Sequence, residues 1–280
     1  MRIAHLILAH KNPQQLERMI KALQHPAFSF FIHVDKKSDI QSFKYLSEIE
    51  NVSFIKNRTK IYWAGYGTIQ ATINGLEEIS LSQFDYINVT SAQDFPLKTP
   101  DEIYNFFLSR KGKEFITCEP VETKWKEAKV RVTKYHLINW RIPGKFQLEK
   151  IVNAILPERK FPFNFELAGR ANWFTITDEA TKYLLDFISK NPKYTRFFKY
   201  SWGGDELFFS IILYNSHFRE KIEDNVVYVD WSEKKAHPKV LKKEDFNALM
   251  STGKLFGRKF DTSVDADIIT LIENKLAIKK

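Results

Sequence analysis

Two carboxylates stand in tandem behind a pair of glycines in the run Ser201-Trp202-Gly203-Gly204-Asp205-Glu206-Leu207-Phe208-Phe209. The apolar residues that follow have helical spacing, which puts both acids in the first turn of a helix. Two chemistries fit that placement. Asp205 as a cap and Glu206 as a solvated neighbour would complement the helix dipole. Alternatively, Glu206 is a general base held at the rim of a cleft. Downstream, Lys239 in His237-Pro238-Lys239 and the pair Arg258-Lys259 in Gly257-Arg258-Lys259-Phe260-Asp261 offer cations suited to a diphosphate, or form an ordinary solvated charge run. His10 and Asp35 sit just past two apolar runs, in a nucleoside's position if those runs are parallel strands and in structural roles otherwise. The D-x-D pair Asp265-Ala266-Asp267 opens the last helical pattern, where capping accounts for it. No metal site and no cofactor is therefore expected, and neutralising a diphosphate would fall to Lys and Arg.

The elements that must position these groups follow from hydrophobic patterning. Arg2 to Leu8 reads as a buried strand, and Asn12 and Pro13 open a helix through Leu16, Met19, Ile20 and Leu23. Phe28 to Asp35 is a second strand, Ser38 and Gln41 form a capping box for a helix through Leu46, and Val52 to Ile55 is a short third strand. Thr68 to Ile79 is helical, Tyr86 to Thr90 is a fourth strand, and Thr99, Pro100 and Glu102 start another capped helix. A strand runs from Glu114 to Cys118, followed by a basic aromatic segment from Lys124 to Trp140 and a loop-rich stretch through Pro157 and Pro162. Asn172 to Thr177 resumes as a strand, Thr177 caps a helix, Val226 to Val229 is a strand, and a helix begins near Ala266. Strands alternating with capped helices imply right-handed crossovers and a mostly parallel sheet, with ligands beyond the carboxyl ends of the strands.

Composition narrows the partners. The 280 residues are 44% hydrophobic and rich in Phe, enough for a sizeable core. The balance of 43 Lys+Arg against 34 Asp+Glu, a net +9, suits an anionic substrate, an anionic membrane surface or nucleic acid. The Lys124 to Lys134 segment could be a nucleic-acid patch, but no nucleic-acid-binding motif accompanies it, so no such partner is expected. The lone Cys118 excludes an internal disulfide and suits a reducing compartment. No apolar run approaches the roughly 20 residues of a membrane span. A cytoplasmic protein touching the inner membrane face peripherally is the expectation. Walker A, G-x-G-x-x-G, H-E-x-x-H and G-x-S-x-G motifs are missing. The sequon Asn88-Val89-Thr90 lies in an expected buried strand.

Six runs occur in one order along nearly the whole chain: Ala9-His10-Lys11, His33-Val34-Asp35-Lys36-Lys37-Ser38, Tyr62-Trp63-Ala64-Gly65, Gln93-Asp94-Phe95-Pro96-Leu97-Lys98-Thr99, the Asp205-Glu206 helix and Lys259-Phe260-Asp261. Together they resemble the core-2/I-branching N-acetylglucosaminyltransferase and peptide O-xylosyltransferase family, glycosyltransferase family 14. Glu206 to Phe209, Asn215-Ser216 and Asp230-Trp231 look closer to its xylosyltransferase branch. The resemblance implies an α/β, GT-A-like single domain over 1–280, with a mostly parallel central sheet flanked by helices. Residues 1–118 would bind the nucleotide sugar, and 119–280 would supply the acceptor and catalytic half.

The resemblance further implies an inverting, metal-independent transfer of N-acetylglucosamine or xylose from a UDP-sugar to an acceptor hydroxyl of a glycan or lipid-linked glycan. It makes Glu206 the base and Lys259 the phosphate ligand, with Arg258 and Lys239 beside it. Ala9, His10 and Asp35 match nucleoside contacts, and Trp63 and Asp94 match the donor pocket. Glu119, Lys124, Trp125 and Trp202 fall on the acceptor side. The chain departs from the family in having Gly203-Gly204 where a proline often precedes the acid pair, and in showing neither the disulfides nor the membrane anchor of many members. A non-catalytic carbohydrate- or nucleotide-binding descendant is the alternative.

Overall fold

A computed structural model describes residues 1–277. β1 (Ile3–Ala9) is buried at every position, the run expected of a strand covered on both faces. Asn12 caps α1 (Pro13–Ala22) through its side chain, which accepts from the Gln15 N–H, and Pro13 takes the first helical position. β2 (Phe28–Val34) leads to a 3-10 segment, Gln41–Glu48, in place of the expected capped α-helix. The capping box does not form because the Ser38 hydroxyl is spent on the His10 carbonyl at 2.6 Å, while the Asp39 carboxylate takes the Gln41 N–H. β3 (Val52–Phe54), α2 (Gly67–Ile79), β4 (Tyr86–Ser91) and β5 (Asp94–Pro96) follow. α3 (Pro100–Ser109) starts on the expected reciprocal Thr99 and Glu102 capping box.

The second half departs more from its sequence pattern. The expected strand from Glu114 breaks into β6 (Glu114–Phe115) and β7 (Cys118–Pro120), which join different sheets. The basic aromatic segment holds α4 (Lys129–Thr133), and the stretch expected to be loop contains α5 (Lys145–Ile155), a helix with no buried residue. Next come β8 (Ala168–Arg170), β9 (Phe174–Thr177), α6 (Asp178–Lys190), α7 (Pro192–Phe198) and α8 (Asp205–Tyr214). β10 (Ile222–Glu223), β11 (Val227–Val229), α9 (Phe246–Ser251), β12 (Phe256–Arg258) and α10 (Asp267–Lys275) complete the order. Asp265 accepts from the N–H groups of Asp267 and Ile268, so the D-x-D pair serves the start of α10 as expected.

The central sheet has the order β10-β6-β9-β4-β1-β2-β3. β9 alone runs against its neighbours; the other strands share one direction. The expected α/β architecture, a mostly parallel sheet flanked by helices, is therefore present. From β1 the chain moves outward to β2 and β3 on one side and returns to β4 on the other. That reversal opens a crevice at the carboxyl ends of β1 and β4, where a parallel sheet binds ligands. A smaller sheet, β11-β12-β5, brings the C-terminal cations to the same end. Among the described residues no helix is long and apolar enough to cross a membrane.

One hydrophobic cluster runs from Ile3 on β1 to Ile272 on α10. Within it α2 lies so close to β1 that a Cβ on Gly75 would stand 2.5 Å from the Leu6 side chain, and Leu6 is itself fully buried. We expect Gly75→Leu to lower the unfolding free energy by about 2–3 kcal/mol through overpacking, read as a reduced urea midpoint at unchanged slope. An unchanged midpoint would show that helix and strand are less tightly apposed.

Candidate active site

A cavity of about 610 Å³ opens at the crevice, lined by the tips of β1 and β4, the start of α8 and the end of β12. Glu206 faces it from the first turn of α8, and its carboxylate pairs with the Arg131 guanidinium of α4. That guanidinium lies between two indoles, 4.7 Å from the Trp125 ring and 4.6 Å from the Trp202 ring. Burial raises the Glu206 pKa, and the attraction of Arg131 opposes the rise without cancelling it. The result is a carboxylate more basic than an exposed glutamate and fixed in direction.

Asp205 does not cap α8; the N-cap is Gly204, with no side-chain cap bond. Burial, and then the neighbouring Glu206, push Asp205 up to about 6, while Asn172 Nδ2 donates to it at 3.0 Å. The preceding glycines act through space and backbone geometry, not looseness. Gly203 has φ +57°, a left-handed conformation that few other residues tolerate, and its N–H donates to the Ala64 carbonyl at 2.8 Å. A Cβ on Gly204 would come within 2.8 Å of the Phe198 ring.

Cations gather around the end of β12. Arg258 donates to Asp94 at 2.6 Å and stacks over Trp173 at 4.7 Å. Lys11 pairs with Asp261 at 2.6 Å. Lys259, half-buried, lines the cleft and among the described residues has no carboxylate at ion-pair distance. Burial, with Arg258 and Lys11 adding repulsion, lowers its pKa. This region thus carries uncompensated positive charge, the condition for holding an anion.

Of the residues singled out from the sequence, Ala9, His10, Asp35, Trp63, Trp202, Glu206, Arg258 and Lys259 line this one cleft. Asp35 accepts from the N–H groups of Lys37 and Ile61, at 2.9 and 3.2 Å, and so closes the loop under the tip of β2. Trp63 is 64% exposed at the mouth, edge to face with Trp202 at 5.3 Å. The others stand behind the lining. Asp94 is fully buried and also accepts from the Thr90 hydroxyl and the Ser91 N–H, so it anchors Arg258 from beneath. Lys239 is committed to Asp245 at 2.6 Å, while His237 and Pro238 before it reach the cleft. Trp125 is buried as backing for Arg131, and Glu119 pairs with Arg170 at 3.4 Å. Lys124 is exposed and outside the lining.

A model of the Core-2/I-Branching enzyme family matches residues 3–250. The chain belongs to this family. It is 24% identical to xylosyltransferase 1 of Rattus norvegicus over 98% of its length, and 24% identical to xylosyltransferase 2 of Homo sapiens over 97%. It spans about a third of these curated relatives, 35% and 33%. Among solved structures it is similar to apo mouse xyloside xylosyltransferase 1, with a TM-score of 0.42 and 12% identity over 91% of this chain and 96% of that one. It is also similar to S. aureus TarS 1-349 in complex with UDP, with a TM-score of 0.42 and 13% identity over 89% of this chain and 63% of that one.

Glu206 falls inside the family match, whereas Arg258 and Lys259 follow it and reach the cleft because β12 pairs with β5. Sequence reasoning missed Arg131, Arg170, Asn172 and Lys37 as cleft residues. Arg131 lies within the basic aromatic segment, and nothing in its local spacing signals a partner 75 positions away.

α8 is held against β8 at Gly169, where a Cβ would stand 2.2 Å from the Glu206 carbonyl oxygen, whereas one on Gly253 would meet nothing within 4 Å. Gly169→Ala should therefore lower stability by about 1–3 kcal/mol by forcing the two backbones apart, with Gly253→Ala near neutral as the control. Equal melting temperatures for the two variants would mean that this contact does not fix the start of α8.

Proposed function

We propose that this chain is an inverting, metal-independent glycosyltransferase, moving N-acetylglucosamine or xylose from a UDP-sugar to an acceptor hydroxyl of a glycan or glycoconjugate. The observation that carries the reading is that one cleft holds both a partly buried carboxylate, Glu206, whose pKa burial raises, and a cation, Lys259, with no carboxylate partner among the described residues. Membership in the Core-2/I-Branching enzyme family supports it. The switch point between β1 and β4 supports a GT-A-like donor half in residues 1–118, to which Arg258 and Lys259 return from the C-terminal side.

In this mechanism the acceptor oxygen attacks the anomeric carbon while Glu206 takes its proton. The bond from that carbon to the phosphate oxygen breaks, and UDP leaves from the opposite face with the electron pair. A single displacement inverts the configuration. A positioned carboxylate base contributes typically about 10²–10⁴-fold, so positioning and stabilisation of the leaving diphosphate must supply the rest. Arg131 does not take the proton. It is a positioning residue that keeps Glu206 charged and aimed, itself fixed between Trp125 and Trp202. Lys259 and Arg258 meet the charge that grows on the diphosphate, Arg258 being held in place beforehand by Asp94. That Asp265 is occupied in capping α10 supports assigning charge neutralisation to these side chains instead of a D-x-D-bound ion. The aromatic pair Trp63 and Trp202 offers apolar faces for a sugar ring.

Glu206→Gln should reduce turnover of a UDP-sugar by about 10²–10⁴-fold and leave UDP affinity nearly unchanged; retained turnover would remove Glu206 as the base. Because Arg131 favours the ionised carboxylate, Arg131→Met should raise the Glu206 pKa. The acidic limb of the rate profile, where the base is lost by protonation, would then move to higher pH, and a stationary limb would argue against the pairing. Lys259→Ala should weaken UDP about tenfold or more, as expected for loss of a charge-assisted bond. EDTA should leave wild-type turnover intact, and loss of activity restored by a divalent ion would overturn metal independence.

A further inference from the structure

Arg159, just past α5, is a half-buried cation that pairs with no carboxylate among the described residues. Burial lowers its pKa to about 10, so it stays charged at neutral pH. Its guanidinium serves oxygens of the main chain and one hydroxyl instead. Nη1 is shared among the Tyr200 carbonyl at 2.7 Å, the Lys134 carbonyl at 3.1 Å and the Ser201 hydroxyl at 3.2 Å, and Nη2 donates to the Phe197 carbonyl. The Arg159 main-chain N–H donates to the Thr133 carbonyl at 2.8 Å, and the guanidinium stands 3.9 Å from the centre of the Phe197 ring. All these acceptors belong to two segments: the end of α4, and the run from the end of α7 to Ser201. The last carbonyls of a helix have no partner within it, and a cation is the favoured group there. The rigid fork of arginine suits several separated oxygens at once, which a lysine ammonium does not.

Both segments lead directly into the Glu206 site. α4 carries Arg131, and Ser201 precedes Trp202, whose ring stands 4.6 Å from the Arg131 guanidinium. The Trp202 N–H also donates to the Arg131 carbonyl at 3.3 Å, and α8 begins three residues on, at Asp205. We propose that Arg159 is a positioning residue of the active site: by clamping α4 to the segment before α8, it holds the Arg131 guanidinium against the Glu206 carboxylate. Plain capping of two helices would use the same hydrogen bonds but would leave Glu206 indifferent to Arg159. The difference lies in the charges that Glu206 feels, which are Arg131 on α4, Arg170 on β8 and Asp205 on its own helix. Of the two cations, Arg131 is the one that pairs with it, whereas Arg170 pairs with Glu119 and Glu127. A shift of α4 relative to α8 therefore weakens the attraction that favours the ionised carboxylate. The clamp does not depend on the reaction, whereas its effect on rate rests on the proposed role of Glu206 as the base.

The test is the pKa of the Glu206 carboxyl in the full chain without ligand, followed by carbon-13 NMR of labelled glutamate and assigned by the signal lost in Glu206→Gln. Arg159→Met should raise it, by less than Arg131→Met does, because the partner is then loosened and not removed. In the Arg131→Met background the same substitution should add nothing, since both act through one guanidinium. Turnover of a UDP-sugar by Arg159→Met should fall by about tenfold, the scale of a small misplacement in a site that works by positioning. Arg159→Lys, which keeps the charge but not the fork, should raise the Glu206 pKa less and carries the test if the Met variant fails to fold. A Glu206 pKa unchanged in the Arg159 variants, whatever their melting temperatures, would overturn the proposal, as would an equal rise with Arg131 already removed. The rate profile keeps the two readings separate. A raised Glu206 pKa with the acidic limb unmoved would remove Glu206 as the base and leave the clamp. A stationary pKa in the Arg159 variants, with the limb moving in Arg131→Met, would remove the clamp alone.

Discussion

A carboxylate that is to take a proton from a hydroxyl must be poorly hydrated, yet it must remain ionised until the substrate arrives. These demands oppose each other, because burial favours the neutral acid. In the proposed reaction one pairing, Glu206 against Arg131, would resolve the conflict, and several elements of the second half of the chain hold that pairing. Trp125 and Trp202 hold the guanidinium from both sides. Gly169 lets β8 press against the first turn of α8, and Gly203 gives the chain the left-handed turn that introduces it. Removing either charged partner leaves the other half-buried and unpaired, which is far more disruptive than the loss of a surface ion pair.

The cation cluster at the end of β12 is organised on a different principle. There positive charge is left deliberately uncompensated at Lys259, while neighbouring cations are tied down: Arg258 by Asp94, Lys11 by Asp261 and Lys239 by Asp245. The fixed pairs set geometry and the free one remains available to a ligand. Asp94 illustrates how a residue can belong to a site without touching its contents. Its carboxylate, fully enclosed, fastens the turn after β4 to the last strand of the small sheet.

What could be read from the sequence follows from how local each signal is. The first half was legible because its strands are continuous apolar runs and its helices carry explicit starts, such as Asn12 with Pro13 and Thr99 with Glu102. The 3-10 segment after β2 was misread because Ser38 bonds to His10, a partner 28 positions away that local pattern cannot reveal. α5 shows no core stripe because Glu149 and Asn153 turn inward beside Leu148 and Val152 and none of its residues is buried. In the site, acids and cations next to recognisable motifs were found. Arg131, Arg170 and Asn172 were not, since each is defined by a contact between distant segments.

The pairing of β12 with β5 joins positions about 160 residues apart. Contacts of such separation close a long loop and are slow and entropically demanding to form. Because Lys259 directly follows β12, the chain must complete this distant closure before its cation wall exists. A nucleotide diphosphate bridging that wall and the tip of β1 would therefore recognise only fully assembled molecules. Occupancy of the cleft would then act as a check on folding, favouring finished chains over those in which the last strand has yet to dock.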